Sequence, residues 1–397
     1  MTPETKHPVP LSLYIHIPWC VRKCPYCDFN SHAVRDIIPE KKYCQALLDD
    51  LGQDLSWIGG RRIESIFIGG GTPGLFSAEA LDGLLDGVRR QVVLEDNVEI
   101  TLEVNPGTAE YRKFADFFSL GINRLSIGVQ SFNDRLLDKI GRIHDRKAAI
   151  KAAEAAHYAG FTNFNLDLMF GLPGQTTKEA LSDLQTATSL EPAHLSWYQL
   201  TIEPNTFFYQ NPPRLPADDA IWETQIQGQR FLQTKQVAQY EVSAYSRKRP
   251  CLHNLNYWRF GDYLGIGAGA HAKLSRPDLT EIIRLQKPGS PQDYMQQAEA
   301  GTPLSKKTGL DPADRILEFM MNALRLNKGV SRKIFISRTG VNIDSIEPWL
   351  EKGVRKGLLI ESDQRIQASE QGIRYLNDLL EIFMDEKLGT RNFNNTV

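Results

Sequence analysis

The feature that most constrains this chain is a pattern it repeats six times, a short apolar run rich in β-branched residues followed by a helix-like stretch. The runs are LSLYIHIP (11–18), ESIFIGGG (64–71), VEITLEVNP (98–106), RLSIGVQS (124–131), NFNLDLMFGLP (163–173) and HLSWYQLTIEP (194–204). Between them lie segments with apolar residues at helical spacing, such as AEALDGLLDGVRRQV (78–92) and AAIKAAEAAHYAG (148–160). The second ends at Gly160, as a helix usually does. Strand–helix alternation predicts an α/β protein with a parallel sheet and right-handed crossovers, and six units predict a full or partial (β/α) barrel. A doubly wound open sheet is the alternative topology.

Polar residues and glycines gather at the C-terminal ends of these runs. Three cysteines follow the first and Gly69-Gly70-Gly71-Thr72-Pro73 the second. Glu103 and Asn105 end the third, Gln130 the fourth, Asp167 lies in the fifth, and Thr201 and Glu203 follow the sixth. In a parallel barrel these ends meet on one face, where barrel active sites are built. Each residue taken singly reads equally well as satisfying neighbouring backbone; their coincidence points to a site.

Charge and targeting signals narrow the setting. A formal net charge of -2 gives no field suited to nucleic acid. No apolar run is long enough to span a bilayer, and MTPETKHPVP at the N-terminus has no apolar signal core. The chain therefore reads as cytoplasmic, where thiols stay reduced and a cysteine cluster more often binds metal than forms disulfides. Peripheral membrane association and a homodimer are both compatible with the sequence.

The texture changes near residue 290, which divides the chain into an expected barrel domain (1–290), a Pro/Gly/Ser-rich linker (291–310), a C-terminal domain (311–388) and a disordered tail (389–397). DRILEFMMNALRLN (314–327) carries Ile316, Met320 and Leu324 on one helical face. Helices near 331–338 and 343–356, a hairpin over 358–369 and a last helix through Leu380 predict a winged-helix-like α+β unit. Residues 311–397 hold 13 Lys+Arg against 13 Asp+Glu, which leaves no basic footprint for DNA, so the unit reads as a packing or docking module.

Cys20, Cys24 and Cys27 are spaced CxxxCxxC. A [4Fe–4S] cluster takes four ligands, usually cysteine thiolates, so three leave one iron open to an exogenous ligand. A structural zinc would need His16, His32 or Cys44 as a fourth partner, and the chain has no second CxxC pair.

CxxxCxxC after the first strand of a barrel resembles the radical S-adenosylmethionine (SAM) superfamily. The resemblance implies a [4Fe–4S] cluster whose open iron is chelated by the amino and carboxylate groups of SAM. It implies that Tyr26 lies near the adenine and that the Gly69–Thr72 run meets the methionyl amino group. YIHIPWCxxxCxYC, GGGTP, EVNPG, GVQSF and GRIHD, in this order, narrow the likeness to the coproporphyrinogen dehydrogenase branch, over essentially the whole chain. Carried onto this chain, it implies that Tyr14, Tyr26, Gly70, Gly71, Thr72, Pro73, Glu103, Gln130, Arg142 and Asp167 line the SAM site, carboxylates to ribose hydroxyls and Arg142 to a carboxylate. Arg142 and His144 would otherwise read as a solvated basic pair.

Two features separate members of this branch. Its dehydrogenases carry a further cysteine two residues after the third, where this chain has Phe29, and a long N-terminal extension, where about ten residues precede the first strand here. HNLNYW, from His253 to Trp258, resembles the HNxxYW motif of HemW-type haem chaperones. That likeness implies haem binding, with His253 as axial ligand and Asn254, Tyr257 and Trp258 beside it; an imidazole for iron and flat aromatic surface for a porphyrin suit the task. The alternatives are a hydrogen-bonded loop histidine with Trp258 in the core, or a local site formed with Cys251. The expected function is haem delivery to acceptor proteins such as respiratory enzymes. The alternatives are an oxygen-independent coproporphyrinogen III dehydrogenase and a radical SAM enzyme acting on another substrate.

Overall fold

The computed structural model describes residues 9–107 and 111–384. The six apolar runs form strands β1 (Leu11–Ile17), β2 (Ile63–Gly70), β3 (Leu94–Val104), β4 (Arg124–Gln130), β5 (Phe164–Phe170) and β6 (His194–Gln199). Six further strands complete the sheet: β7 (Ala238–Glu241), β8 (Ala244–Ser246), β9 (Asp262–Ile266), β10 (His271–Ser275), β11 (Ile282–Gln286) and β12 (Lys306–Gly309). Across it the order is β12-β11-β10-β9-β1-β2-β3-β4-β5-β6-β8-β7.

β9 and β1 to β6 are mutually parallel, and the strands at both margins are antiparallel. β1 to β6 therefore follow one another without the reversal that marks a doubly wound sheet. The two margins, β12 and β7, do not pair with each other, so the barrel is partial. The apolar runs are strands because both of their faces are covered: six of the seven β1 residues are buried, as are all seven of β4.

Helices pack on one side of the sheet. Ala78–Gln91 is capped by Ser77, whose Oγ accepts from the Ala80 amide, and buries Leu81, Leu84, Leu85 and Val88 at helical spacing. Arg146–Tyr158 buries the alanines 149, 152, 153 and 156, whose small side chains allow close approach to the sheet. The core between these layers holds β1 to β6, β9 and β10 residues such as Leu13, Ile66, Leu102, Ile127, Leu166, Leu195, Leu264 and Leu274.

A second core lies in the C-terminal part. Helix Pro312–Ala323 starts with a capping box between Asp311 and Asp314 and buries Ile316, Phe319 and Met320, with Leu324 buried at its end. Helices Arg332–Thr339 and Glu347–Arg355 pack with it around Phe335, Trp349 and Leu350. Phe260 and Ile282, from the sheet region, belong to the same cluster.

Two expectations meet differences here. The stretch 291–310 holds helix Pro291–Glu299, N-capped by Ser290, and strand β12. Its Pro and Ser act as helix-start chemistry, so linker-like composition marks an element boundary. The hairpin over 358–369 forms as expected, through the Leu359–Ala368 bridge and backbone bonds from Ile360 N to Gln367 O and from Ser369 N to Leu358 O, both 3.0 Å, and Arg365–Ile366 pairs in addition with Val330–Ser331. The last helix breaks at Tyr375 into Glu370–Arg374 and Leu376–Glu381. The tail 389–397 lies outside the described residues.

Candidate functional site

The polar ends of the strands meet in one cavity of about 630 Å³. Its mouth is the loop after β1. Trp19–Cys20 pairs with His32–Ala33, and backbone bonds from His32 N to Pro18 O (2.7 Å) and Val34 N to Cys20 O (2.8 Å) close the neck. Inside this loop Cys20, Cys24 and Cys27 are free and half-buried.

The glycine run after β2 braces the loop from below. Gly71 N bonds Ile17 O at 2.8 Å and Thr72 N bonds Trp19 O at 2.7 Å. A Cβ on Gly71 would lie 2.5 Å from Trp19 O, and one on Gly70, where φ is +112°, would lie 2.5 Å from the His16 ring. Glycine is required here because backbone approaches backbone. Gly70 N donates to the Glu103 carboxylate at 3.0 Å. Gly70, Gly71 and Thr72 line the cavity. Pro73 is absent from the cavity wall; it is buried at the start of a 3-10 turn, Pro73–Leu75, and supports the run from behind.

Each sulfur has its own hydroxyl or guanidinium neighbour. Thr72 Oγ1 donates to Cys20 Sγ at 3.5 Å, Arg142 Nη1 donates to Cys24 Sγ at 3.6 Å, and Ser31 Oγ lies 3.9 Å from Cys27 Sγ. Burial raises the Cys20 and Cys27 thiols, and the bonds from Thr72 and Ser31 act against it. Asn105 ties two of these donors together, giving Nδ2 to Thr72 Oγ1 at 2.9 Å and accepting from Arg142 Nη2 at 2.8 Å on Oδ1. Among the described residues no three His, Cys, Asp or Glu side chains converge on a single-ion site. The set is three thiols spread round an open loop, each offered a donor, which is ligation suited to an iron–sulfur cluster. Cys44 lies elsewhere, buried with its Sγ on Ala80 O.

Further in, the side chains expected for SAM share the cavity wall: Tyr14, Tyr26, Glu103, Gln130, Arg142 and Asp167. Burial raises Glu103 to about 7, with the nearby Asp167 adding to the shift. Asp167 is also raised by burial, against bonds from Ser196, Asn165 and Ser126. Tyr14 OH bonds His16 Nδ1 at 2.9 Å, and Gln130, held at φ +67°, accepts from Tyr198 OH at 2.9 Å. A half-buried Arg142 with a buried, unpartnered Nε and two acids raised by burial form a polar wall able to bind a zwitterion with a ribose.

HNLNYW forms helix Leu252–Trp258 at the other end of the cavity, packed on β2 and β1. His253 is 2% exposed. Its Nδ1 bonds Ser65 Oγ at 2.9 Å, its Nε2 bonds Tyr257 OH at 3.0 Å, and its ring lies 5.2 Å from that of Phe67. Burial, with Arg124 adding, holds the imidazole neutral by lowering it to about 3. Asn254 donates to Tyr240 OH at 2.9 Å. Tyr257 packs edge-on against Tyr263, and the face of Trp258 is covered by the Arg325 guanidinium at 4.4 Å. HNLNYW is therefore part of an inner wall, and the flat aromatic surface expected for a porphyrin is taken up by these neighbours. Cys251 is turned to Glu99, its Sγ 3.2 Å from Oε1, rather than toward His253.

Residues 14–187 match the model of the Radical SAM superfamily, and residues 310–375 that of the HemN C-terminal domain. A protein named heme chaperone HemW in Escherichia coli (strain K12) is 50% identical over 378 residues, covering 95% of this chain and 99% of that protein. Another heme chaperone HemW, from Bacillus subtilis (strain 168), is 35% identical over 383 residues, 94% of this chain and 99% of that one. The solved structure of coproporphyrinogen III oxidase (HemN) from Escherichia coli, a radical SAM enzyme, superposes with a TM-score of 0.80 at 23% identity, over 96% of this chain and 92% of that one. That last likeness is one of fold. On these grounds the chain belongs to the HemW family of the radical SAM superfamily.

Proposed function

We propose that this protein is a haem chaperone, which carries a [4Fe–4S] cluster with SAM at the cavity mouth, binds haem, and delivers it to acceptor proteins such as respiratory enzymes. The observation that carries the reading is 50% identity over 95% of the chain to a protein named heme chaperone HemW. Cys20, Cys24 and Cys27 would hold the cluster, which when bound supplies an open iron for SAM and an electron for its cleavage. The chain's own part is to orient and to exclude water. Glu103 and Asp167 accept hydrogen bonds from hydroxyls, Arg142 and Thr72 donate to thiolates and anions, and the Tyr14 and Tyr26 rings wall the cavity. His253 takes part in haem ligation by exchanging its Nε2 bond to Tyr257 for iron.

The second reading, a coproporphyrinogen III dehydrogenase, is favoured by the fold likeness at a TM-score of 0.80. Against it stands Phe29, 56% exposed at the mouth where the dehydrogenase pattern has a cysteine, because a phenyl ring cannot replace a thiol. The test runs both assays on one reconstituted preparation. The chaperone reading expects saturable haem binding, weakened by His253→Ala, and no conversion of coproporphyrinogen. Turnover that depends on all three cysteines would establish the second reading instead.

A further inference from the structure

The acidic and basic groups of the inner cavity are unevenly provided for. Arg124, the first residue of β4, is 3% exposed and lines the cavity at the end away from the cysteines. Its one side-chain hydrogen bond is to Thr101 Oγ1, at 3.5 Å, and it forms no ion pair with any described residue. Burial works against its charge, and the nearby Cys251, Glu99, Tyr240 and Asp167 more than offset that at a distance, yet a guanidinium with one long bond to a neutral hydroxyl keeps most of its donors unspent.

The carboxylates near it are taken. Glu99 Oε1 accepts from Cys251 Sγ, Leu252 N and His253 N at 3.0 to 3.2 Å. Asp167 accepts from Ser126 Oγ and Asn165 Nδ2 at 3.0 and 2.8 Å. Glu241 is paired with Arg325 at 3.2 Å. The polar capacity that is fully buried and unspent on this part of the wall is donor capacity. Besides Arg124 it comprises Arg325 Nε and Trp258 Nε1, both buried without a partner and both on residues that line the cavity. Donors without acceptors call for an anion, and the planar fork of an arginine suits a carboxylate.

We propose that Arg124 binds a carboxylate of the cavity's guest. Under the haem-chaperone reading, on which the identity of the guest rests, that group is a propionate of the tetrapyrrole. Arg325 and Trp258 are the residues placed to complete the polar end of the site. The arrangement makes recognition independent of iron: the carboxylate end of the guest is read by Arg124, and His253 is kept neutral beside it by burial and by the Arg124 charge.

The experiment has two arms on the full chain. Sodium propionate alone should raise the melting temperature of the wild type and leave that of Arg124→Gln unmoved, since a ligand stabilises only the state that binds it. Equal responses of the two proteins overturn the site whatever binds haem. In the second arm, iron-free protoporphyrin IX should bind the wild type at least tenfold more tightly than its dimethyl ester, and Arg124→Gln should abolish that preference while iron and sulfide content hold. A propionate response without any porphyrin binding supports the carboxylate site and removes the tetrapyrrole as its guest. Should Arg124→Gln fail to fold, Arg124→Lys keeps the charge without the fork and should lose most of the acid-over-ester preference; retention of the full preference contradicts the proposal.

Discussion

At the scale of single residues, the donors around the thiols bear on redox chemistry. A hydrogen bond to a cluster sulfur withdraws electron density and raises the reduction potential. Ser31→Ala and Thr72→Val should therefore each lower the potential of the reconstituted cluster, as followed by electron paramagnetic resonance during a redox titration. Unchanged potentials in both variants would mean that these hydroxyls are structural. Glu103 gives a pH prediction. Its folded value near 7 lies above its ordinary 4.5, so the fold favours the protonated acid. That stabilisation is fully present below pH 4.5 and is lost as pH rises through 7, on the order of 3 kcal/mol at most. Glu103→Gln should raise the melting temperature at pH 8, with the gain vanishing near pH 4.5; a gain that ignores pH contradicts the assignment. The cysteines were legible in the sequence because their spacing marks them, and Asp167 because it is a carboxylate in the middle of an otherwise largely apolar strand. Arg124 was not, since a charged residue at the start of a strand carries no signal of its own. Nor were the partners of His253, because Ser65 lies 188 positions away.

At the scale of elements, the glycine run fixes the height of the cysteine loop. Gly71→Ala places a methyl 2.5 Å from Trp19 O, against backbone that is itself bonded at the neck. The loop must shift, at a cost of roughly 1–3 kcal/mol, and iron and sulfide content should fall while far-ultraviolet circular dichroism is retained. Full cluster occupancy in that variant would show that the brace is dispensable. The six strands were readable to within a residue or two at most ends because buried parallel strands are continuous apolar runs. The antiparallel margins were less so. β12 is exposed along its whole length, KKTG, and lacks an apolar signature, while β7 and β8 are four and three residues long. The break at Tyr375 and the added pairing of Arg365–Ile366 with Val330–Ser331 depend on the second core, which local pattern does not report.

At the scale of the whole molecule, an open sheet wraps one deep cavity, with the cysteine loop at one end and HNLNYW at the other. The described residues contain no helix long and apolar enough to cross a membrane. The second core reaches back through Phe260 and Ile282 to the sheet, and Arg325, just beyond helix Pro312–Ala323, covers Trp258. The C-terminal part thus packs against the inner end of the cavity. The most direct test of the central claim is haem transfer. Cluster-loaded protein carrying haem is mixed anaerobically with the haem-free form of a respiratory haem enzyme, and the acceptor's activity is followed over time. The account predicts that activity appears faster than with the same concentration of free haem, and more slowly with His253→Ala. Equal rates from the protein and from free haem would contradict it.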